Sequence, residues 1–436
     1  MAKTPKRHLL YGILRPIVRV GARVFMRRLV ITGVENFPLN KPVILISNHQ
    51  NAMLDPVLIC VFTPKQLHWL ARADVFKNPF IKKILFRINM MPVYRERDGM
   101  ENIREENQKI FEECFRRLNK NAAVAIFPEG GHRGKKQLTT FKKGLGRLSF
   151  GAMESLIEKD AVILPVGLDY SGYYDYHPEF YLEIGKPFSI QPFYQKSKID
   201  YNTAMADLIA TSTNALQALM IDLKKEEYYE WGIKMRELVM STAPNHSFES
   251  QFKHYREFTK RAERSIFFEE NIQTISQYFA INQAHGIDEL ENNVTSGKQW
   301  GRLLLLGLLL PIYFIARSFY LPVERFVESF VKKNIKDLLF KNSIRMAFFT
   351  FLGPIYTAIV VSILAAFLGW TFSTSLLIIA STMIGGRLAI AWLRIYHRWQ
   401  KGNRWLRLNK NSASADFENW SKLRFAILTR VNDLMK

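Results

Sequence analysis

From Met346 to Gly386 the chain carries no charged residue. That run is too long for one bilayer crossing of about 20 residues and too apolar for the outside of a water-soluble domain. It suits two transmembrane spans, over about 347–369 and 375–393, joined by a tight turn near Gly369–Thr374. Arg387 lies near enough to the end of the second span to snorkel. An earlier apolar stretch, Leu303–Ala316, is shorter, lies between Arg302 and Arg317, and is interrupted by Pro311. Its length predicts a re-entrant or interfacial segment over 303–322 rather than a full crossing. Arg325, Lys332, Lys333, Lys336, Lys341 and Arg345 precede the uncharged run, and Arg394, Arg398, Lys401, Arg404, Arg407 and Lys410 follow it. Basic flanks of this kind predict an even number of crossings, with both flanks and the domain upstream of them on the cytoplasmic face.

Upstream, residues 29–192 alternate short apolar runs with helical stretches. Val43–Ser47, Leu67–Ala71, Val124–Phe127 and Val162–Val166 read as buried strands, near-continuous and partly β-branched. Between them, Ile103, Ile110, Phe111, Cys114, Phe115 and Leu118 recur at helical spacing. The fold class this predicts is α/β: a mainly parallel sheet flanked by helices, followed by a helical region over 193–300 and a membrane region over 301–436 that ends in a basic tail. Residues 193–300 carry helical periodicity and no readable motif.

The balance of charge narrows the partner. With 61 Lys and Arg against 39 Asp and Glu, the formal net charge is +22. Such an excess implies an anionic partner, and the basic residues lie beside apolar segments, which favours a lipid surface. No zinc spacing, aromatic ribonucleoprotein motif or helix-turn-helix signal supports nucleic acid. Residues 1–28 hold Arg15, Arg19, Arg23 and Arg27 at four-residue steps, with Leu14, Ile17, Val18, Val24 and Phe25 supplying an apolar side. The pattern predicts a helix lying in an anionic membrane interface, in preference to the alternative of a basic helix packed on the domain. The runs are too broken by arginine for a signal peptide. Cys60 and Cys114 stand at no metal or redox spacing, which fits a reducing compartment.

The chemistry-bearing residues follow the strands, where the carboxyl ends of a parallel sheet form a crevice. Val43–Ser47 leads into Asn48-His49, with Asp55-Pro56 six positions beyond His49. A histidine and an aspartate across a strand-to-helix turn form a base and its orienter; a metal pair or a capping turn are the other uses of the same residues. Val124–Phe127 leads into Pro128-Glu129-Gly130-Gly131-His132-Arg133, glycines for close backbone approach and arginine for a phosphate. Pro92-Val93-Tyr94-Arg95 ends another apolar run, and Lys142 and Lys143 add positive charge. His68 and His132 read as packing or surface histidines.

In this order, Asn48-His49…Asp55-Pro56, Pro92-Val-Tyr-Arg95, Phe127-Pro-Glu-Gly130 and Leu164-Pro-Val166 resemble the four motifs of the glycerolipid acyltransferases, which include glycerol-3-phosphate and lysophosphatidate acyltransferases. The resemblance covers about residues 29–190. Two departures, five residues between His49 and Asp55 instead of four and Gly131-His132-Arg133 in place of Thr-Arg-Ser, resemble the fungal-type glycerol-3-phosphate and dihydroxyacetone-phosphate branch. The resemblance implies transfer of a fatty acyl group from acyl-coenzyme A or acyl-carrier protein, as co-substrate, to a hydroxyl of glycerol-3-phosphate. His49 would be the base and Asp55 its orienter, with Arg95, Glu129 and Gly130 at the acceptor. Arg133 and Lys143 join them on charge alone. No metal or organic cofactor is required. The alternatives are acyl transfer to lysophosphatidate or another lysophospholipid, and a non-catalytic membrane scaffold.

Overall fold

The computed structural model describes residues 9–94, 102–156, 160–410 and 415–436. The chain divides into two compact units, Met1–Asp222 with Asp337–Met346, and Leu223–Lys336 with Ala347–Lys436.

The first unit is an α/β domain. Its strands are β1 (Arg28–Thr32), β2 (Val43–Ser47), β3 (Leu67–Arg72), β4 (Met90–Val93), β5 (Ala123–Ile126), β6 (Val162–Tyr170), β7 (Glu179–Ile184) and β8 (Phe188–Ser189). They form one sheet in the order β1-β7-β6-β2-β5-β3-β4, with β8 beside β6. β6, β2, β5, β3 and β4 are mutually parallel; β7 and β8 run antiparallel to β6, and β1 runs parallel to β7. Every residue of β2 and β6 is buried, as expected of strands covered on both faces.

Helices α1 (Leu9–Phe25) and α2 (Leu54–Phe62) pack on one face, where Ala22, Phe25, Leu54 and Leu58 meet Val43, Leu45 and Trp69. On the other face, α4 (Ile103–Leu118), α5 (Gly144–Ser155) and α7 (Tyr201–Gln217) cover Ile44, Ile46 and Val124. The remaining helices of this unit are α3 (Pro79–Arg87) and the short α6 (Gln191–Ser197). α6 and α7 thus belong to the α/β unit, although the sequence reading ends that domain at residue 192.

The arginines of α1 point the opposite way from an interfacial helix. Arg15 donates to the carbonyl of Thr63 and Arg19 to that of Val61 at 2.7 Å, and the guanidinium groups of Arg19 and Arg23 lie over Phe62. They cap the carbonyl end of α2, where cations complement the helix dipole. Leu9, Ile13, Ile17 and Val20 are left as the outward stripe.

The second unit is helical: α8 (Tyr229–Lys234), α9 (Arg236–Ser241), α10 (Phe248–Arg264), α11 (Phe267–His285), α12 (Ser296–Asn334), most of α13 (Leu338–Leu368), α14 (Phe372–Lys410) and α15 (Ala415–Met435). α12, α13 and α14 are each long and apolar enough to cross a membrane. α13 ends at Gly369, whose φ of 65° no β-carbon-bearing residue adopts easily, and α14 starts three residues on, so the turn falls where the uncharged run predicts it. The segment over 303–322, expected to be re-entrant or interfacial, instead lies within one continuous 39-residue helix that runs through Pro311 and Pro322. α14 runs antiparallel along α12: Gln299 donates to the carbonyl of Trp399 at 2.8 Å, and the Trp392 indole donates to that of Leu306 at 2.9 Å. Glu291 binds Arg302 at 2.6 Å and Arg398 at 2.8 Å beside the start of α12.

Candidate active site

β2 and β5 are neighbours, yet the chain leaves them in opposite directions. After β2 it crosses through α2, on one face, to β3; after β5 it crosses through α5, on the other face, to β6. The two loops therefore part at their carboxyl ends, the switch point at which sheets of this kind bind their ligands. His49 leaves β2 there and Glu129 leaves β5.

The six-residue step from His49 to Asp55 closes as a tight turn. Ala52 takes a φ of 35°, and the N–H of Leu54 donates to the carbonyl of Asn51 at 2.9 Å, which starts α2 with Asp55 in its first turn. Asp55 is fully buried and its carboxylate is surrounded by donors. Oδ2 accepts from His49 Nδ1 at 2.9 Å and from the backbone N–H groups of Gln50 and Asn51, each at 2.8 Å. Oδ1 accepts from the Tyr170 hydroxyl at 2.8 Å. Burial, with Asp55 beside it, pushes the Tyr170 phenol well above its usual range, so the hydroxyl remains a donor. With Nδ1–H held by the carboxylate, Nε2 of His49 is the lone-pair nitrogen; the ring is 14% exposed.

The His49 ring is clamped by packing as well. It stacks on Phe127 with centroids 3.9 Å apart, and Phe127 stacks in turn on Trp69 at 4.7 Å. His132 meets it edge-on at 5.2 Å, and His132 Nε2 is 3.2 Å from Asp337 Oδ2. His132, read from sequence as a packing histidine, thus packs against the catalytic candidate itself. Asn48 holds the end of β2 by a paired amide contact with the N–H and C=O of Leu168, at 2.8 and 2.9 Å.

Glu129 fastens the two loops. Oε1 accepts from the His49 backbone N–H at 2.7 Å, and Oε2 accepts from the N–H and hydroxyl of Thr139 at 3.0 and 2.8 Å. Burial raises its carboxyl above the ordinary value in spite of those donors and of His49. Expected at the acceptor, Glu129 engages protein groups with both oxygens. Gly130 closes the turn, its N–H donating to the carbonyl of Phe127 at 3.1 Å with a φ of 76° that demands glycine. The N–H of Gly134 donates to the carbonyl of Gln50 at 3.1 Å, so Arg133 stands beside the His49 loop, exposed and paired with no described residue. The N–H of Lys142 donates to the carbonyl of Pro128 at 2.8 Å, which places exposed Lys143 next to the Glu129 turn. Arg95 lies outside the described residues.

Tyr170, Thr139 and Asp337 were not legible as site residues. Gly167 and Asp169 break the apolar run before Tyr170, yet β6 extends four residues past Val166 and brings Tyr170 to the level of Asp55. Cys60 and Cys114 are poor nucleophiles here, because burial pushes both thiols up to about 12. His68 is a packing residue: Arg117 donates to its Nδ1, and burial lowers its pKa to about 3. Among the described residues, no group of three or more His, Cys, Asp and Glu is placed to hold a metal ion.

A family model described as Acyltransferase matches residues 28–169. The chain is 27% identical over 112 residues to a glycerol-3-phosphate O-acyltransferase 2 of Saccharomyces cerevisiae, covering 26% of this chain and 15% of that one. It is 24% identical over 160 residues to a 1-acyl-sn-glycerol-3-phosphate acyltransferase of Borreliella burgdorferi, covering 37% and 58%. The crystal structure of the 1-acyl-sn-glycerophosphate acyltransferase PlsC from Thermotoga maritima is similar at a TM-score of 0.35 and 19% identity, over 49% of this chain and 83% of that one. The chain spans between 15% and 58% of the length of these two curated relatives.

Proposed function

We propose that this protein, whose residues 28–169 match an acyltransferase family model, is a glycerolipid acyltransferase that esterifies a glycerol-phosphate acceptor with a fatty acyl group from a thioester, at a membrane. The observation that carries the reading is the 2.9 Å contact of His49 Nδ1 with fully buried Asp55, which leaves Nε2 as a base at the rim of the sheet.

Nε2 takes the proton of the acceptor hydroxyl as its oxygen bonds to the thioester carbonyl carbon. The resulting oxyanion collapses, the C–S bond breaks, and the imidazolium returns the proton to the leaving thiolate. Asp55 stabilises the imidazolium in between. The N–H groups of Gly131 and His132 donate to no described residue, and their loop borders His49, which makes them the oxyanion donors of this reading. Glu129 is a positioning residue, and Arg133 and Lys143 supply charge for the acceptor's phosphate. The thioester is acyl-coenzyme A or acyl-carrier protein.

Glycerol-3-phosphate is the acceptor we favour, on the five-residue spacing and the Gly130-Gly131-His132 continuation. Lysophosphatidate is the second reading, supported by the longer match to the Borreliella relative. Membranes carrying wild type or His49→Ala, given labelled acyl thioester with glycerol-3-phosphate, dihydroxyacetone phosphate or lysophosphatidate, separate the two. Ester on one acceptor, lost in the variant, is the expected result. Equal ester from both proteins removes His49 from the mechanism.

A further inference from the structure

α3 connects β3 to β4 on the outside of the α/β unit, and not one of its residues is buried. It is a well-formed helix all the same. Pro79 starts it, and the Asn78 side chain accepts from the N–H groups of Phe80 and Ile81 at 2.9 and 3.2 Å. A capped helix normally earns its place by burying an apolar stripe, yet Phe80 is 72% exposed and Phe86 43%, with Ile81 between them also exposed.

Within α3 and its cap the charge has one sign, and Asp74 just upstream is paired with Arg72. Residues 77–87 contain Lys77, Lys82, Lys83 and Arg87 and no acidic residue. Lys82 lies over the Phe86 ring at 5.9 Å, and Lys77, Lys83 and Arg87 have no acidic partner among the described residues. α4 is the contrast within the same unit: it pairs Lys109 with Glu106 at 2.6 Å and Arg116 with Glu113 at 2.7 Å, and exposes no large apolar side chain.

The topology brings several exposed apolar groups to one face. β3-α3-β4 continues across the sheet in the direction of β2-α2-β3, so a right-handed crossover puts α3 on the face of α1 and α2. That face also carries the outward stripe of α1, Leu9 to Val20. Exposed Met53 lies inside the His49–Asp55 loop that opens α2. α3 itself begins from the carboxyl end of β3, the edge from which the His49 and Glu129 loops depart.

We propose that α3 is a lipid-docking element, which lays Phe80 and Phe86 into the surface of an anionic bilayer while its four cations remain among the phosphates. Aromatic tips ringed by cations of one sign fit a phospholipid headgroup layer, whereas a protein partner would present mixed charge. The docking stands on α3 alone. Its consequence, that the site rim faces the leaflet that receives the product, rests on the acyl-transfer reading.

The test uses the full chain in nanodiscs of phosphatidylcholine with or without phosphatidylglycerol. Spin labels go on Phe80→Cys and Phe86→Cys, on Lys109→Cys of α4 as a water-facing reference, and on the unsubstituted chain for background from Cys60 and Cys114. With phosphatidylglycerol, labels at 80 and 86 are expected to be more accessible to oxygen than to a water-soluble nickel chelate, and the α4 label the reverse. Replacing Lys77, Lys82 and Lys83 by Gln should lower the docked fraction on the order of tenfold or more. Labels at 80 and 86 as open to nickel as the reference overturn the proposal, as do labels shielded from both reagents, which would mean a protein cover. Docking that ignores both phosphatidylglycerol and the lysines overturns its anionic character. The readout needs no turnover, so failure of acyl transfer leaves it interpretable.

Discussion

The backbone N–H of His49 donates to Oε1 of Glu129 at 2.7 Å, so a side chain from the β5 loop fixes the start of the β2 loop. Glutamine at 129 offers one carbonyl oxygen where the carboxylate meets three donors, and its amide would face an N–H. Glu129→Gln is expected to lower kcat by roughly ten- to 100-fold, the worth of a hydrogen bond to a charged group, with little change in acceptor KM. The stability comparison has a definite sign. Burial raises the Glu129 carboxyl in the folded state, so folding favours its protonated form and that stability is lost as pH rises through the folded value. Unfolding temperatures in detergent should therefore move in favour of the variant as pH increases.

Asp55 and Tyr170 predict a graded pair. Asp55→Asn places an amide against the Gln50 and Asn51 N–H groups and destroys the preference for Nδ1–H, so kcat should fall about 10⁴-fold, read in single-turnover assays. Tyr170→Phe removes one donor to the same carboxylate and should cost about 1 kcal/mol, several-fold in kcat. A tyrosine variant as inactive as the aspartate variant would place Tyr170 at the reacting atoms.

His68 gives a pH dependence unrelated to catalysis. Its folded pKa of about 3, against 6.5 for an ordinary histidine, means the unfolded chain binds a proton that the folded chain refuses. The stability is complete above 6.5 and is lost as pH falls from there toward 3, about 5 kcal/mol in all. His68→Gln should flatten the acid limb of the unfolding profile over that window. An unchanged limb would mean that the imidazole is protonated in the fold.

Arg15 and Arg19 predict a stability effect where a lipid-facing helix would show a binding one. Each caps a carbonyl at the end of α2, so Arg15→Gln and Arg19→Gln should each cost about 1–2 kcal/mol and lower the unfolding temperature by a few degrees. Retention of the full chain in membranes should be unaffected. Loss of membrane retention at unchanged unfolding temperature would return these arginines to the lipid.

These contrasts show which features a sequence exposes. β2 was legible to its ends because an apolar run stopped at Asn48 matches a strand covered on both faces, and the His49–Asp55 and Glu129–Gly130 groups were legible because local spacing brings them to strand ends. The direction of the α1 arginines was not. A guanidinium is equally suited to a lipid phosphate and a helix-terminal carbonyl, and periodicity gives the face without its neighbour. β6 was cut short because Pro165 and Gly167 interrupt its β-branched run, which hid Tyr170. Asp337 comes 205 residues after His132, a pairing that no local pattern encodes. Pro311 was weighed as a breaker, yet apolar helices tolerate proline where neighbours satisfy the freed carbonyls.

The bond between Gln299 and Trp399 joins two points 100 residues apart in the chain, and the Arg302–Glu291–Arg398 ions gather at the same place. Such a cluster of charge belongs in water. Whatever part of the intervening loop enters lipid must consequently return to the compartment it left, so an outward excursion by any of the three apolar helices is matched by an inward one. Tags placed at Asn293 and Ser421 would then report the same aqueous side.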